Sequence, residues 1–247
     1  MTLLSFENVT KHFPAGRDEL VVLDNVSMEV HEGDFVGIHG LRRSGKSILL
    51  RIAAGWERPE AGRVAFDGKD LWKLSDGARS KLRRAGGVGL ASGAWHPNAN
   101  KPAIRHVQET LACDRVGLRE AREPALRALE RVGLSHCAYA PTAMLSPGEL
   151  IRLGLAQRLV HRPRLLLVDE PVVLLRPNEA SELYELLESI GGDPEVALVV
   201  VSEDLAPIRM ARRRFSLDDG VLRSMDRPAG QVLEFPDRLT ASQRSSS

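Results

Sequence analysis

Gly40-Leu41-Arg42-Arg43-Ser44-Gly45-Lys46-Ser47 is the stretch on which the reading of this chain turns. It satisfies the spacing G-x-x-x-x-G-K-[ST], in which glycines let backbone N–H groups turn inward around phosphate oxygens at the positive end of a helix. Its flanks have the required character. Asp34 to His39, D-F-V-G-I-H, reads as an apolar strand running into the loop. Ile48, Leu49, Ile52 and Ala53 share one face of a following helix, with Gly55 as its stop. In such a loop Gly40, Ser44 and Gly45 shape the cradle, Lys46 reaches the β- and γ-phosphates, and Ser47 ligates Mg²⁺.

Two further motifs belong with this loop. In L-L-L-V-D-E-P, Leu165 to Pro171, an apolar run with no polar face reads as a central parallel strand covered on both sides. Asp169 at its end is positioned to hold Mg²⁺ through water, and Glu170 to polarise an attacking water as general base. The alternative for the pair is a solvated strand end. In L-S-P-G-E, Leu145 to Glu149, Ser146 reads as an N-cap, Pro147 as N1 and Glu149 as N3, a capping box that opens a helix through Ile151, Leu155 and Leu159. That helix start is a second anion-binding terminus; the alternative is an ordinary helix beginning.

Around these motifs the chain alternates strand and helix. Leu3 to Val30 carries short apolar runs with polar breaks, and Val64 to Phe66 followed by Asp67-Gly68 adds a strand and turn, a small β-rich region. From about residue 92 to 162 the pattern is Arg-, Ala- and Leu-rich and helical, with E-P-A-L-R-A-L-E-R-V-G-L its clearest amphipathic piece. Glu179 to Ile190 reads as helix and Ala197 to Ser202 as a buried strand, followed by Glu203 and Asp204. The sum is an α/β phosphate-loop NTPase core with an antiparallel β subdomain and a helical insertion, one domain over residues 1–235, and a polar, disordered tail over 236–247.

Composition narrows the partners. The net charge is +1, from 34 basic and 33 acidic residues, so there is no electrostatic ground for nucleic acid as a partner. No stretch approaches the 18 or so apolar residues of a membrane span, and the N-terminus lacks a signal-peptide core, so the expected location is cytoplasmic. Cys113 and Cys137 have neither ligand-like nor redox-like spacing and read as small semi-buried thiols. His39, His96 and His106 have no spacing that makes a metal site, and Arg212-Arg213-Arg214 reads as a solvated face.

The three motifs, in this order, resemble the nucleotide-binding subunit of an ATP-binding cassette (ABC) transporter, over about residues 3 to 225, with a cue toward the lipoprotein-release and macrolide-export subgroup in A-G-R-D-E-L. The resemblance implies ATP and Mg²⁺ as cofactors and a head-to-tail homo- or heterodimer, in which the phosphate loop of one subunit meets the L-S-G-G-Q-like signature of the other across the nucleotide. It implies a membrane-spanning partner, which holds the subunit at the inner face of the membrane. It assigns Phe13 to stacking on adenine, against the alternative of a strand-edge aromatic, and Ser146 and Gly148 to the signature's phosphate contacts. Several positions depart from the family pattern. Ala91 or Ser92 stands where a sensor Gln is usual, Arg176 where a dimer-facing Asp belongs, and Pro147 for the first signature Gly. Ile48 replaces a Thr, and Glu203 replaces the His that contacts the γ-phosphate. Glu203 sets an anion beside an anion, so hydrolysis is expected to be slow; a non-hydrolytic partner or switch in a heterodimer is the alternative.

Overall fold

The computed structural model describes residues 1–16, 18–84, 86–92, 97–112, 116–172 and 175–226. His96, Cys113 and the polar tail over 236–247 lie outside the described residues.

Alternating apolar residues in the first thirty positions make two long antiparallel strands, β1 (Thr2–Ala15) and β2 (Asp18–His31). β3 (Phe35–His39) leads through the glycine-bearing loop into α1 (Lys46–Ala53). β4 (Ala61–Phe66) and the short β5 (Lys69–Asp70) flank Asp67-Gly68, both with positive φ, the conformation a tight hairpin turn requires. Apart from β3, these strands form one sheet in the order β2-β1-β4-β5.

α2 (Asp76–Arg84) is an addition to the expected elements: it buries none of its residues fully and touches the core through Leu82, its one large apolar residue. β6 (Val88–Ser92) still includes Ser92, so the helical segment begins later than residue 92. It comprises α3 (Ala103–Ala112), α4 (Arg122–Arg131) and α5 (Pro147–Leu159). The chain then returns through β7 (Leu165–Asp169), α6 (Pro177–Gly191), β8 (Ala197–Ser202), α7 (Leu205–Arg209), β9 (Arg213–Asp218) and β10 (Val221–Ser224).

The second sheet has the order β10-β9-β3-β8-β7-β6. Every pairing from β9 through β6 is parallel, and only β10 runs antiparallel. β8 is buried along its whole length, as its unbroken β-branched run implies. Core side chains divide into one group between the two sheets, including Leu4, Ile38, Leu50 and Leu167, and another between the sheet and the helical segment, including Leu129, Leu153, Leu166 and Leu187. Arg213 and Arg214 are not a free cationic face. They lie in β9 and are paired with Asp34 (2.8 Å) and Asp226 (2.8 Å).

Register decides where the chemistry collects. His39 of β3 pairs with Ser202 of β8, Val201 of β8 with Asp169 of β7, and Asp169 with Ser92 of β6. Four strands therefore end nearly flush, and the loops leaving their carboxyl ends share one rim, the usual ligand position in an open parallel sheet.

Candidate functional site

A cavity of about 610 Å³ opens on that rim, lined by Val22, Arg42, Arg43, Ser44, Gly45, Lys46, Ser47, Ile48, Glu170 and Glu203. Its floor is the loop between β3 and α1. Gly45 sits at φ +101°, a left-handed geometry, and a Cβ there would lie 2.6 Å from the Val22 carbonyl oxygen. A Cβ on Gly40 would meet the Leu217 carbonyl oxygen at 2.7 Å, so both glycines of the motif are sterically required. The Gly40 N–H donates to the Ser202 carbonyl at 3.2 Å and ties the loop to β8. α1 starts without a side-chain cap, so its leading backbone donors have no side chain over them.

Lys46 is 5% exposed. Its ammonium donates to the carbonyls of Gly40 (2.6 Å) and Leu41 (2.8 Å) and pairs with Glu170 Oε1 at 3.1 Å. Glu170 follows β7 in a left-handed conformation, φ 48°, held by its own N–H donating to the Val201 carbonyl at 3.0 Å. Non-glycine residues rarely adopt this conformation, and such strain concentrates at functional sites. The turn carries the Glu170 carboxylate over the cavity, where Oε2 accepts the Glu203 N–H at 3.1 Å.

Beside it, the Asp169 carboxyl is pushed above the usual carboxylate range. Burial is the main cause and the charge of Glu170 adds to it, against a lowering contribution from the Ser47 hydroxyl and Lys46. Asp169 Oδ1 and Ser44 Oγ are buried without a hydrogen-bond partner. Orphaned oxygens of this kind demand an explanation in a native fold. A hard divalent cation on Asp169 and Ser47, with phosphate oxygens reaching Ser44, satisfies them, so these residues fit a Mg²⁺–phosphate ligand.

The raised Asp169 pKa has a consequence for stability. Ionised burial costs free energy at neutral pH, and that cost is relieved as pH falls through the raised folded-state pKa. Asp169→Asn is therefore expected to raise Tm at pH 7, by about 2–4 °C per kcal/mol relieved. The gain should shrink as pH falls through the raised folded-state pKa toward about pH 4, the ordinary carboxylate value, where the carboxyl of the folded chain is already protonated. Thermal melts at the two pH values check this; a Tm for the Asp169→Asn variant below that of the parent at neutral pH would contradict it.

The other expected residues fall as follows. Ile48 lines the cavity and also packs on the core. Phe13 does not line it: the wall beside the loop is Val22, and the Phe13 ring lies 4.9 Å under the Lys11 ammonium. Lys11 is itself held by Glu57 (2.8 Å) and Glu60 (2.9 Å), so the cation over the ring is fixed in place. Ser146 and Gly148 stand at the start of α5 and are not among the residues lining the cavity. Ala91 is buried, so Ser92 is the residue at the exposed end of β6. Arg42 and Arg43, for which the sequence leaves open either added charge near phosphate or solvated surface, line the cavity wall.

Sequence reading also missed Glu179, which is buried at the start of α6 and contacts α5. Its signal was present in Arg176-Pro177-Asn178-Glu179, a helix opening with Pro at N1 and Glu at N3. Elsewhere, His136, Cys137 and Glu149 bring one ligand-type atom each within 4.8 Å, but the Glu149 carboxylate is already shared between the Ser146 N–H (2.7 Å) and His136 (3.0 Å).

The profile of the family described as ABC transporter matches residues 23–173. The lipoprotein-releasing system ATP-binding protein LolD 2 of Caulobacter vibrioides is 34% identical over 220 residues, 89% of this chain and 96% of that protein. The lipoprotein-releasing system ATP-binding protein LolD of Pseudomonas fluorescens is similar to the same extent. Among solved structures, the ATP-binding cassette MJ0796, as a post-hydrolysis dimer bound to ADP and Pi, superposes with a TM-score of 0.82 at 28% identity, covering 90% of this chain and 97% of that one.

Proposed function

This chain belongs to the ABC transporter family as an ATP-binding subunit, an ATPase coupled to transport, and from that premise we propose that it binds MgATP in the rim cavity and hydrolyses it slowly within a head-to-tail dimer. The observation that carries the reading is the orphaned Asp169 Oδ1 beside the glycine-shaped loop and Lys46. Mg²⁺ would be held by Ser47 and Asp169 and would supply charge neutralisation on the phosphate oxygens. Lys46 leaves the carbonyls of Gly40 and Leu41 to bind phosphate, and the Glu170 carboxylate accepts a proton from the attacking water. Val22 gives the cavity its apolar wall.

Among the described residues no helix is long and apolar enough to cross a membrane, which supports a membrane-spanning partner that holds this subunit at the inner face. The names of the LolD relatives support a complex of the lipoprotein-releasing type. The test is Mg²⁺-dependent phosphate release by the purified chain across protein concentration, with and without chelator. Turnover that vanishes without Mg²⁺ supports the reading at any protein concentration; MgATP that fails to bind sinks it.

A second reading, a non-hydrolytic subunit of a heterodimer, is favoured by Glu203, an acidic residue that lines the cavity where phosphate charge would gather. Like charges 4 Å apart repel by about 1 kcal/mol in water and about 4 kcal/mol at an effective dielectric of 20. Glu203→Gln is expected to tighten MgATP binding about fivefold or more, measured by nucleotide titration. Unchanged affinity would mean that the side chain turns away from the phosphates. Tight MgATP binding without any release of phosphate by the parent chain would select the non-hydrolytic reading.

A further inference from the structure

The start of α5 is closed from within. A helix N-terminus attracts an anion because its first backbone donors lack intrahelical partners. In α5 none of them is left over. Pro147 at N1 has no N–H. The Gly148 N–H donates to Glu179 Oε1 at 3.3 Å. The Glu149 N–H donates to Ser146 Oγ at 3.2 Å, and the Leu150 N–H already bonds the Ser146 carbonyl at 2.9 Å. The Ser146 hydroxyl in turn helps to hold the Glu179 carboxyl below its ordinary value. Glu179 therefore engages both groups, Ser146 and Gly148, that the family resemblance assigns to a partner's phosphate.

The carboxylate is also well anchored on its own side. Oε2 accepts the Arg176 N–H at 3.2 Å, which completes the opening of α6, and the residue is 7% exposed. The fit to α5 is close, since a Cβ built on Gly148 would come within 3.0 Å of Glu179 Cβ. By contrast, α1 begins with no side chain over its first donors. One helix start is open to phosphate and the other holds a carboxylate of the same chain.

We propose that Glu179 is an internal occupant of the anion seat at α5, so that a second copy of this chain cannot seat its nucleotide's phosphate there. The inference rests on the head-to-tail arrangement proposed above. It makes the subunit one-sided: it offers an open phosphate loop and a closed signature, and two copies do not complete each other's sites. A phosphate arriving at α5 has to displace a charged carboxylate of its own sign together with the hydrogen bonds that hold it.

The experiment uses the Glu170→Gln chain, which traps bound ATP, and compares it with the same chain also carrying Glu179→Ala or Glu179→Gln. Sedimentation velocity in MgATP reports dimerisation, and nucleotide titration of the same samples reports ATP binding. The parent is expected to remain monomeric with ATP bound, and Glu179→Ala to dimerise at least tenfold more tightly. Glu179→Gln, which keeps an acceptor but loses the charge, should fall between them. It also covers the case in which the alanine variant fails to fold. Dimerisation of the parent as tight as that of the variants overturns the proposal. So does a failure of both variants to dimerise while all chains bind ATP, and that outcome leaves the ATP-binding reading intact. Absence of ATP binding in every chain sinks both.

Discussion

Glu170→Gln is expected to lower MgATP turnover by about 10²- to 10⁴-fold, the usual contribution of a positioned general base, while nucleotide stays bound. The geometry that singles out this carboxylate is its left-handed backbone, φ 48°, at the end of a buried strand. An extended residue there would point its side chain to one face of the sheet; the turn hangs it over the cavity instead. Lys46 at 3.1 Å and the Glu203 N–H at 3.1 Å hold its two oxygens, so glutamine keeps the shape and one of the two acceptors but cannot take a proton. Steady-state phosphate release beside nucleotide titration separates the two effects. Turnover within about twofold of the parent would remove Glu170 from the chemistry and direct the search to another base on the rim.

Lys46→Ala is expected to weaken MgATP binding by about tenfold to a hundredfold, since a hydrogen bond to a charged group contributes about 1.5–3 kcal/mol. The side chain is buried, and its ammonium is the cation that pairs with Glu170. Removing it strips the carbonyls of Gly40 and Leu41 of a donor and leaves the Glu170 charge without its partner, so Tm should fall as well. Calorimetric titration of ATP against the parent, Lys46→Ala and Lys46→Arg checks the affinity. Arginine keeps the charge but not the reach, and should recover only part of it. An affinity for Lys46→Ala within about threefold of the parent would mean that the lysine serves the loop and not the phosphate.

The two variants probe residues that were legible before any coordinates, and the reason is that their signals are local. Phosphate-loop spacing, the strand ahead of it and the helix behind it all lie within about twenty contiguous residues, each set by backbone geometry or by side-chain period. The same holds for the capping box at Ser146, where all the groups involved lie within four residues. α2 escaped notice for the complementary reason: Leu82 is its one large apolar residue, too few to set an apolar period.

What the chain by itself determined is therefore the set of parts: an α/β core, a phosphate loop at Gly40–Ser47, acids at Asp169 and Glu170, and a helix start at Ser146. Only the tertiary structure decided how they meet. Parallel register aligned the ends of β3, β8 and β7 and so brought Lys46 to Glu170, 124 positions apart in sequence. A lysine paired with two glutamates came to lie over the Phe13 ring, and a glutamate 31 residues downstream reached the Gly148 N–H at the helix start. Periodicity and capping rules specify which groups an element presents; they do not specify which distant group arrives to satisfy them, because that depends on register and packing between elements.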